Sequence, residues 1–283
     1  MNDLVKRELW DVRHVRSQAC TPARWLPSSW LREKIWRGRA NIGADHSQSY
    51  SDYLFVRLPM RYLPARSDWS AIEVGCAPGG NLLMLNRRFG YRVCGVEYSH
   101  VGAARTREFL LSHGLSSDVV VEADFFDRSF HDEYNNRFDV VLPRGFLEHF
   151  EFPNKAVEEH VALLRNDGYL VCSIPNLLGI SYPYLSVLGR DLLRAHNTRI
   201  MCISAFRALF ENQRLNPLFC GYCGQFQLFG MSTRCERSVR GIVGRGLDRL
   251  EGFVDHLLFL MLRGAALETR LSPHLVFVGQ RHD

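Results

Sequence analysis

The residues with the clearest chemical potential in the 283-residue chain lie in Ile72-Glu-Val-Gly-Cys-Ala-Pro-Gly-Gly80. A short apolar run ends at Gly75, where the missing Cβ lets the chain turn sharply and bring backbone close to a ligand. Gly79 and Gly80 keep side chains away from the start of a helical segment, whose free N–H groups and positive dipole end can receive an anion. The spacing is Glu-x-Gly-x-x-x-Gly, not the G-x-G-x-x-G of dinucleotide loops. Ala77 stands where such a loop has its second glycine, and Pro78 removes one N–H donor, so a pyrophosphate is poorly accommodated. Two histidines further on, His149 and His196, have side chains whose ordinary pKa near ~6.5 suits proton transfer at neutral pH.

Alternating elements must position these groups. Ala71–Gly75, Tyr91–Glu97, Val119–Ala123, Phe138–Leu142 and Tyr169–Ile174 are short apolar runs that predict buried strands. Between them, residues 80–89, 100–113 and 156–164 carry helical spacing, and Asn166-Asp-Gly168 predicts a turn. Strands and helices alternating at this pitch imply a parallel sheet with helices on both faces and right-handed crossovers. The last part predicts a helix around Ser204–Glu211, a strand region around Leu218–Phe229, an amphipathic helical stretch from about 237 to 268 and a final strand His274–Gly279. We divide the chain into an N-terminal helical segment, 1–65, and an α/β domain, 66–283, in which 179–268 are additions.

Composition narrows the class. Hydrophobic residues make up 46% and charged residues 23%, an ordinary globular balance. A net charge of +5, carried mostly by scattered arginines, forms no dense basic block, so no nucleic-acid partner is expected. The start has no apolar core like that of a signal peptide, and no apolar run reaches the ~20 residues of a membrane span, so the expected location is the cytoplasm. Eight cysteines include one CxxC, Cys220 and Cys223, with Cys235 beyond it. A structural zinc site wants four ligands, and no second CxxC exists, so reduced thiols are expected.

The 72–80 segment resembles motif I of class I S-adenosylmethionine-dependent methyltransferases, and the order of the strands, helices and acidic residues over about 70–178 is similar to that family too. The resemblance implies a Rossmann-like, doubly wound, mostly parallel seven-stranded sheet with an N-terminal helical lid and a helical insertion near the C-terminus. It implies S-adenosylmethionine as cofactor and S-adenosylhomocysteine as product. Glu73, Gly75, Cys76, Ala77 and Gly79 fall in the first cofactor loop, with Glu73 near the cofactor's amino group. Glu97, with Tyr98 beside it, stands where family members hold the ribose hydroxyls. Asp124 and Phe125 stand at the adenine, and Tyr98 and Arg144, the latter after the fourth strand, are further candidate cofactor contacts. Asp139, Gly90 and Gly95 have plainer readings: a structural carboxylate, a turn glycine and a packing glycine.

Arg144-Gly-Phe-Leu-Glu-His149 resembles the Leu-Glu-His segment of quinone-biosynthesis O-methyltransferases. That resemblance makes His149 a candidate base for a hydroxyl acceptor, with Glu148 orienting the neighbourhood. Some relatives hold a divalent metal with Glu-x-x-Glu-His. Gly145 replaces the first Glu, and although His196 could substitute, no metal is expected. The stretch Asn176–Asn197, read as loop-rich, offers Tyr182, Tyr184, Arg190, Asp191 and His196, the last a second candidate base or acceptor contact. Trp30, Trp36, Arg39, His46, Tyr50 and Tyr53 are candidate lid residues. The expected reaction is methyl transfer to a hydroxyl of a small polar molecule: a sugar, a phenol or a secondary metabolite. Alternatives are an N-methyltransferase or RNA-modifying enzyme of the same fold, a nicotinamide-dependent oxidoreductase, and a non-catalytic binding module. The helical stretch near residues 253–262 could form a homodimer interface or a wall of the acceptor site.

Overall fold

A computed structural model describes residues 50–228 and 268–283, together with isolated positions between 246 and 261. The candidate lid residues Trp30, Trp36, Arg39 and His46, Cys235 and most of the 237–268 stretch lie outside the described residues. So do the contacts that a lid or a dimer interface there would make.

Seven strands form one sheet: β1 (Ser70–Val74), β2 (Arg92–Glu97), β3 (Val120–Glu122), β4 (Phe138–Pro143), β5 (Leu164–Pro175), β6 (Leu215–Cys223) and β7 (His274–Arg281). Their order is β3-β2-β1-β4-β5-β7-β6. β1 to β5 are mutually parallel, and β7 runs antiparallel between β5 and β6. The order reverses between β1 and β4, and a ligand crevice is expected outside the carboxyl ends of those two strands. This is the Rossmann-like methyltransferase architecture that the resemblance implied.

Both faces of the sheet are covered, which is why the strands read as continuous apolar runs. On one face Ile72, Val74, Val141, Cys172 and Phe277 pack with Phe130 of α4 (Arg128–Tyr134), Ala156, Val157 and Val161 of α5 (Asn154–Leu163) and Phe206 of α8 (Ile203–Ala208). On the other, Ala71, Val140, Leu142 and Val276 pack with Leu54 and Phe55 of α1 (Tyr50–Arg57) and with Met84 and Leu85. The latter pair lie where α2 (Gly80–Met84) passes into a wider π-turn, Leu85–Phe89. Gly90 ends that turn at φ +78, as a turn glycine should. α3 (His100–Ser112) begins at Ser99, whose hydroxyl accepts from Gly102 N at 3.0 Å.

Four local expectations need correction. Asn166-Asp-Gly168 does not precede β5 but loops out within it. The register passes from Phe138 opposite Leu164 to Val140 opposite Tyr169, and Asp167 takes φ +63. β6 begins at Leu215 and stops at Cys223, earlier at both ends than its apolar pattern suggests. α4 has no counterpart in the sequence pattern. The stretch after β5 is not all loop: it contains α6 (Tyr182–Leu188) and α7 (Arg190–Arg194). These helices are too short to show a helical period, and Pro183 in the first turn of α6 reads in sequence as a breaker. Among the described residues, no helix is long and apolar enough to cross a membrane.

Candidate active site

The loop after β1 is pinned from below. Gly75 N and Cys76 N both donate to Val96 O, at 2.9 and 3.2 Å, tying the loop to the end of β2. Gly75 has φ +73 and Gly79 φ +97, conformations that side chains resist. A Cβ on Gly75 would meet the Phe146 ring at 3.3 Å, and one on Gly79 would meet Thr106 and Phe109 of α3, each at 3.1 Å. The Gly79 requirement is therefore for packing on α3, whereas Gly80 faces open space. Cys76 turns its side chain under the loop, where Gly95 makes room: a Cβ there would lie 2.7 Å from Cys76 Sγ. Burial pushes the Cys76 thiol well above its ordinary range, so what this residue presents outward is backbone.

At the end of β2 the Glu97 carboxylate bridges two loops. Oε2 accepts from Ala77 N at 3.2 Å and Oε1 from Ser99 N at 2.9 Å. The residue stays 8% exposed. Tyr98 beside it is well exposed. After β3, Asp124 Oδ1 accepts from Phe126 N at 2.9 Å and shapes the turn. The Phe125 ring is a core group, in edge contact with Phe130 and Phe146 and 4.4 Å from the His160 ring. The half-buried Phe126 and Phe146 present more surface than Phe125.

Glu73 lies on β1, buried beneath the loop. Asn81 Nδ2 donates to its Oε1 at 2.5 Å, and Arg144 Nη1 donates to Asn81 Oδ1 at 3.2 Å. Arg144 in turn lies over the Phe55 ring at 4.1 Å. Burial pushes the Glu73 carboxyl up to about 8, against the pull of Asn81 and Arg144. Among the described residues its Oε2 makes no hydrogen bond. A buried carboxyl oxygen without a donor is costly, and a ligand ammonium is a chemically suitable partner for it. Asn81 is thus a site residue that sequence reasoning missed. Its signal was an amide in the first turn of the helix that succeeds the loop.

Asp139 sits at the opposite, amino end of the sheet. Its Oδ2 accepts from Ser70 N at 2.7 Å and from Ser70 Oγ at 3.2 Å, and its carboxylate pairs with Arg165. It joins β1, β4 and β5, a structural role as expected.

The chain leaving β4 stays beside the loop. Gly145 N donates to Ser173 O at 2.8 Å, and Phe146 O accepts from His149 N at 3.2 Å. Leu147–His149 form one 3-10 turn. From the far side, Asn197 N donates to Glu148 O at 2.7 Å and Asn197 Nδ2 to Phe150 O at 3.0 Å. These bonds bring His196 against His149, ring centroids 4.8 Å apart. His149 Nε2 lies 3.8 Å from Glu148 Oε1. Glu148, His149 and His196 are all buried. The rest of the Asn176–Asn197 stretch is less unified. Asn176 Nδ2 donates to Arg270 O and Ser272 O, stapling the chain before β7, while Tyr182, Arg190 and Asp191 are exposed. Tyr50 and Tyr53 belong to α1, whose Leu54 and Phe55 are core residues. Cys220 and Cys223 face opposite sides of β6, one towards each core, so the CxxC cannot converge on one ion.

The crevice thus offers a glycine loop at a helix start, a buried carboxylate at the end of β2 and a donor-seeking Glu73, with an imidazole pair beyond Phe146. These groups suit the ribose and amino-acid ends of an adenosyl sulfonium.

The comparisons bear on the family and the fold. Residues 47–213 match the family model described as a methyltransferase domain. A geranyl diphosphate 2-C-methyltransferase of Streptomyces ambofaciens is 34% identical over 97 residues. That alignment covers 31% of this chain and 33% of the relative, so the chain spans about a third of that protein's length. Among solved structures, the geranyl diphosphate C-methyltransferase of Streptomyces coelicolor A3(2), determined with Mg2+, geranyl diphosphate and S-adenosyl-L-homocysteine, superposes with a TM-score of 0.52. It is 18% identical, over 80% of this chain and 78% of that one. A protein of Pyrococcus horikoshii OT3 gives 0.51 at 15% identity, over 88% and 98%. At these identities the superpositions establish the fold, and the family match establishes the kinship. The chain belongs to the methyltransferase-domain family.

Proposed function

We propose that this enzyme methylates an oxygen of a small polar molecule, with the cofactor over the β1–β2 loops and the acceptor at the Glu148–His149–His196 cluster. The observation that carries the reading is that cluster. Three buried polar groups meet beyond Phe146, next to the glycine loop, on the ligand edge of the sheet.

The sulfonium supplies an activated methyl group. The chain's own residues must align an acceptor with it and manage the acceptor's proton. On this reading Glu97 takes the ribose hydroxyls, and the bonds it accepts from Ala77 N and Ser99 N support it by fixing the carboxylate at the crevice. Glu73, supported by Asn81, takes the amino-acid end. Asp124 stands at the adenine end, at a turn its own side chain holds. His149 and His196 receive the acceptor and weaken its O–H bond. Phe146, in contact with the Gly75 position, helps keep water from the transfer.

The Streptomyces relative favours a second reading, methylation at carbon. There the methyl adds to an alkene, the neighbouring carbon becomes cationic, and a base removes a proton. Half-buried Phe126 and Phe146 would stabilise the cation with their faces, and His149 would take the proton. One experiment separates the two. The protein is incubated with S-adenosylmethionine carrying a 13C methyl and a panel of phenols, sugars and prenyl diphosphates, and the product is examined by NMR. An oxygen-bound methyl on a phenol or sugar supports the proposal. A carbon-bound methyl on a prenyl diphosphate replaces it with the second reading.

A further inference from the structure

Glu148, His149 and His196 each offer one ligand atom, and the three atoms lie within 4.8 Å of one another. Their residues are 2%, 6% and 7% exposed, so the convergence is not the chance neighbourhood of surface groups. His196 Nδ1 lies 2.7 Å from Leu192 O. A carbonyl only accepts, so Nδ1 carries the proton and Nε2 keeps its lone pair. Metal-binding histidines are oriented in this way, by a backbone carbonyl on the other ring nitrogen. The two strands of chain that supply the ligands are locked together by Asn197, through Glu148 O and Phe150 O. Glu148 packs against the Gly145 backbone. Gly145, at φ +69, has no side chain, and a Cβ there would lie 3.3 Å from Glu148 Oε1.

We propose that Glu148, His149 and His196 bind a divalent transition-metal ion. Two imidazoles and one carboxylate suit Zn2+, Co2+, Fe2+ or Mn2+, whereas Mg2+ and Ca2+ prefer all-oxygen sets. Bonds of about 2.0–2.2 Å need ligand atoms roughly 3–3.5 Å apart, so the cluster must contract by about an ångström on loading. Three protein ligands leave coordination positions open for an acceptor oxygen. This use of the ion rests on the acceptor-end reading above. A hydroxyl bound to the cation gives up its proton to water more readily, and both imidazoles then act as ligands.

The test titrates Co2+ into tag-free, metal-stripped protein and monitors the visible ligand-field bands, with S-adenosylmethionine affinity as a check on folding. The expected result is one equivalent bound, displaced by Zn2+ and not by excess Mg2+. His196→Ala and Glu148→Gln each weaken it roughly tenfold or more while leaving cofactor affinity intact. No Co2+ bands, or bands indifferent to both substitutions, overturn the site. The acceptor-end reading is tested separately with the product assay. If the ion binds yet methylation is the same with and without it, the ion has no part in acceptor binding and only the metal site stands. If no ion binds yet His149→Ala abolishes methylation, the metal site falls and the acceptor end stands.

Discussion

Glu73 and Glu97 show how one residue type does two jobs within a single crevice. Glu97 accepts two backbone N–H groups, from Ala77 and Ser99. Glu73 accepts from Asn81, among the described residues its Oε2 is unsatisfied, and burial pushes its carboxyl up to about 8 from an ordinary 4.5. Because the folded value is the higher, Glu73 favours the folded state fully below about 4.5, and that contribution is lost as pH rises through about 8. At pH 7 the carboxyl is mostly protonated. A cofactor ammonium beside it stabilises the anion, so binding should release close to one proton at pH 7. Calorimetry in buffers of different ionisation enthalpy measures this directly. The release should vanish in Glu73→Gln, and a buffer-independent wild-type enthalpy would remove Glu73 from the cofactor's amino end.

At the level of elements, the loop and the carboxylate below it have separable duties. Gly79→Ala places a Cβ against Thr106 and Phe109 at φ +97, which should cost on the order of 1–3 kcal/mol and weaken cofactor binding with it. Asp139→Ala breaks the tie between β1, β4 and β5 and should cost about 2–3 kcal/mol in denaturant melts. Being at the far end of the sheet, it should leave the cofactor Kd unchanged. Loss of cofactor binding in a folded Asp139→Ala would contradict the structural assignment.

The sequence shows the first of these elements more readily than the second. Gly75, Gly79 and the apolar runs around them are local signals, legible from spacing alone. The Glu73–Asn81–Arg144 chain and the meeting of His149 with His196 depend on contacts between distant segments, and Asn197, which makes the second meeting, carries no pattern of its own. α4, α6 and α7 escape sequence reading because a helix of five to seven residues is held by packing and not by periodicity. The Asn-Asp-Gly turn is legible, but its position inside β5 is not, since an outlooping strand and a strand preceded by a turn share one sequence signature.

For the whole molecule, stability and site meet in the aromatic cluster between α5 and the crevice. His160 is fully buried there against Phe125 and Phe146, with Nδ1 directed to Ala156 O, and burial pushes its pKa down to about 3 from 6.5. The folded state refuses a proton that the unfolded chain accepts. His160 therefore supports folding fully above about 6.5, and that support drains away as pH falls toward 3, by up to about 5 kcal/mol. His160→Phe should flatten this part of the acid-denaturation curve, and an unchanged acid slope would show that His160 takes no part in it. The central claim is that the β1–β2 loops hold an adenosyl cofactor through Glu97. The most direct measurement is calorimetric titration of S-adenosylmethionine, S-adenosylhomocysteine and NAD into wild type and Glu97→Ala. We predict binding of both adenosyl ligands, weakened by roughly one to two orders of magnitude in the variant, and no binding of NAD. Adenosyl binding indifferent to Glu97, or none at all, would contradict the account.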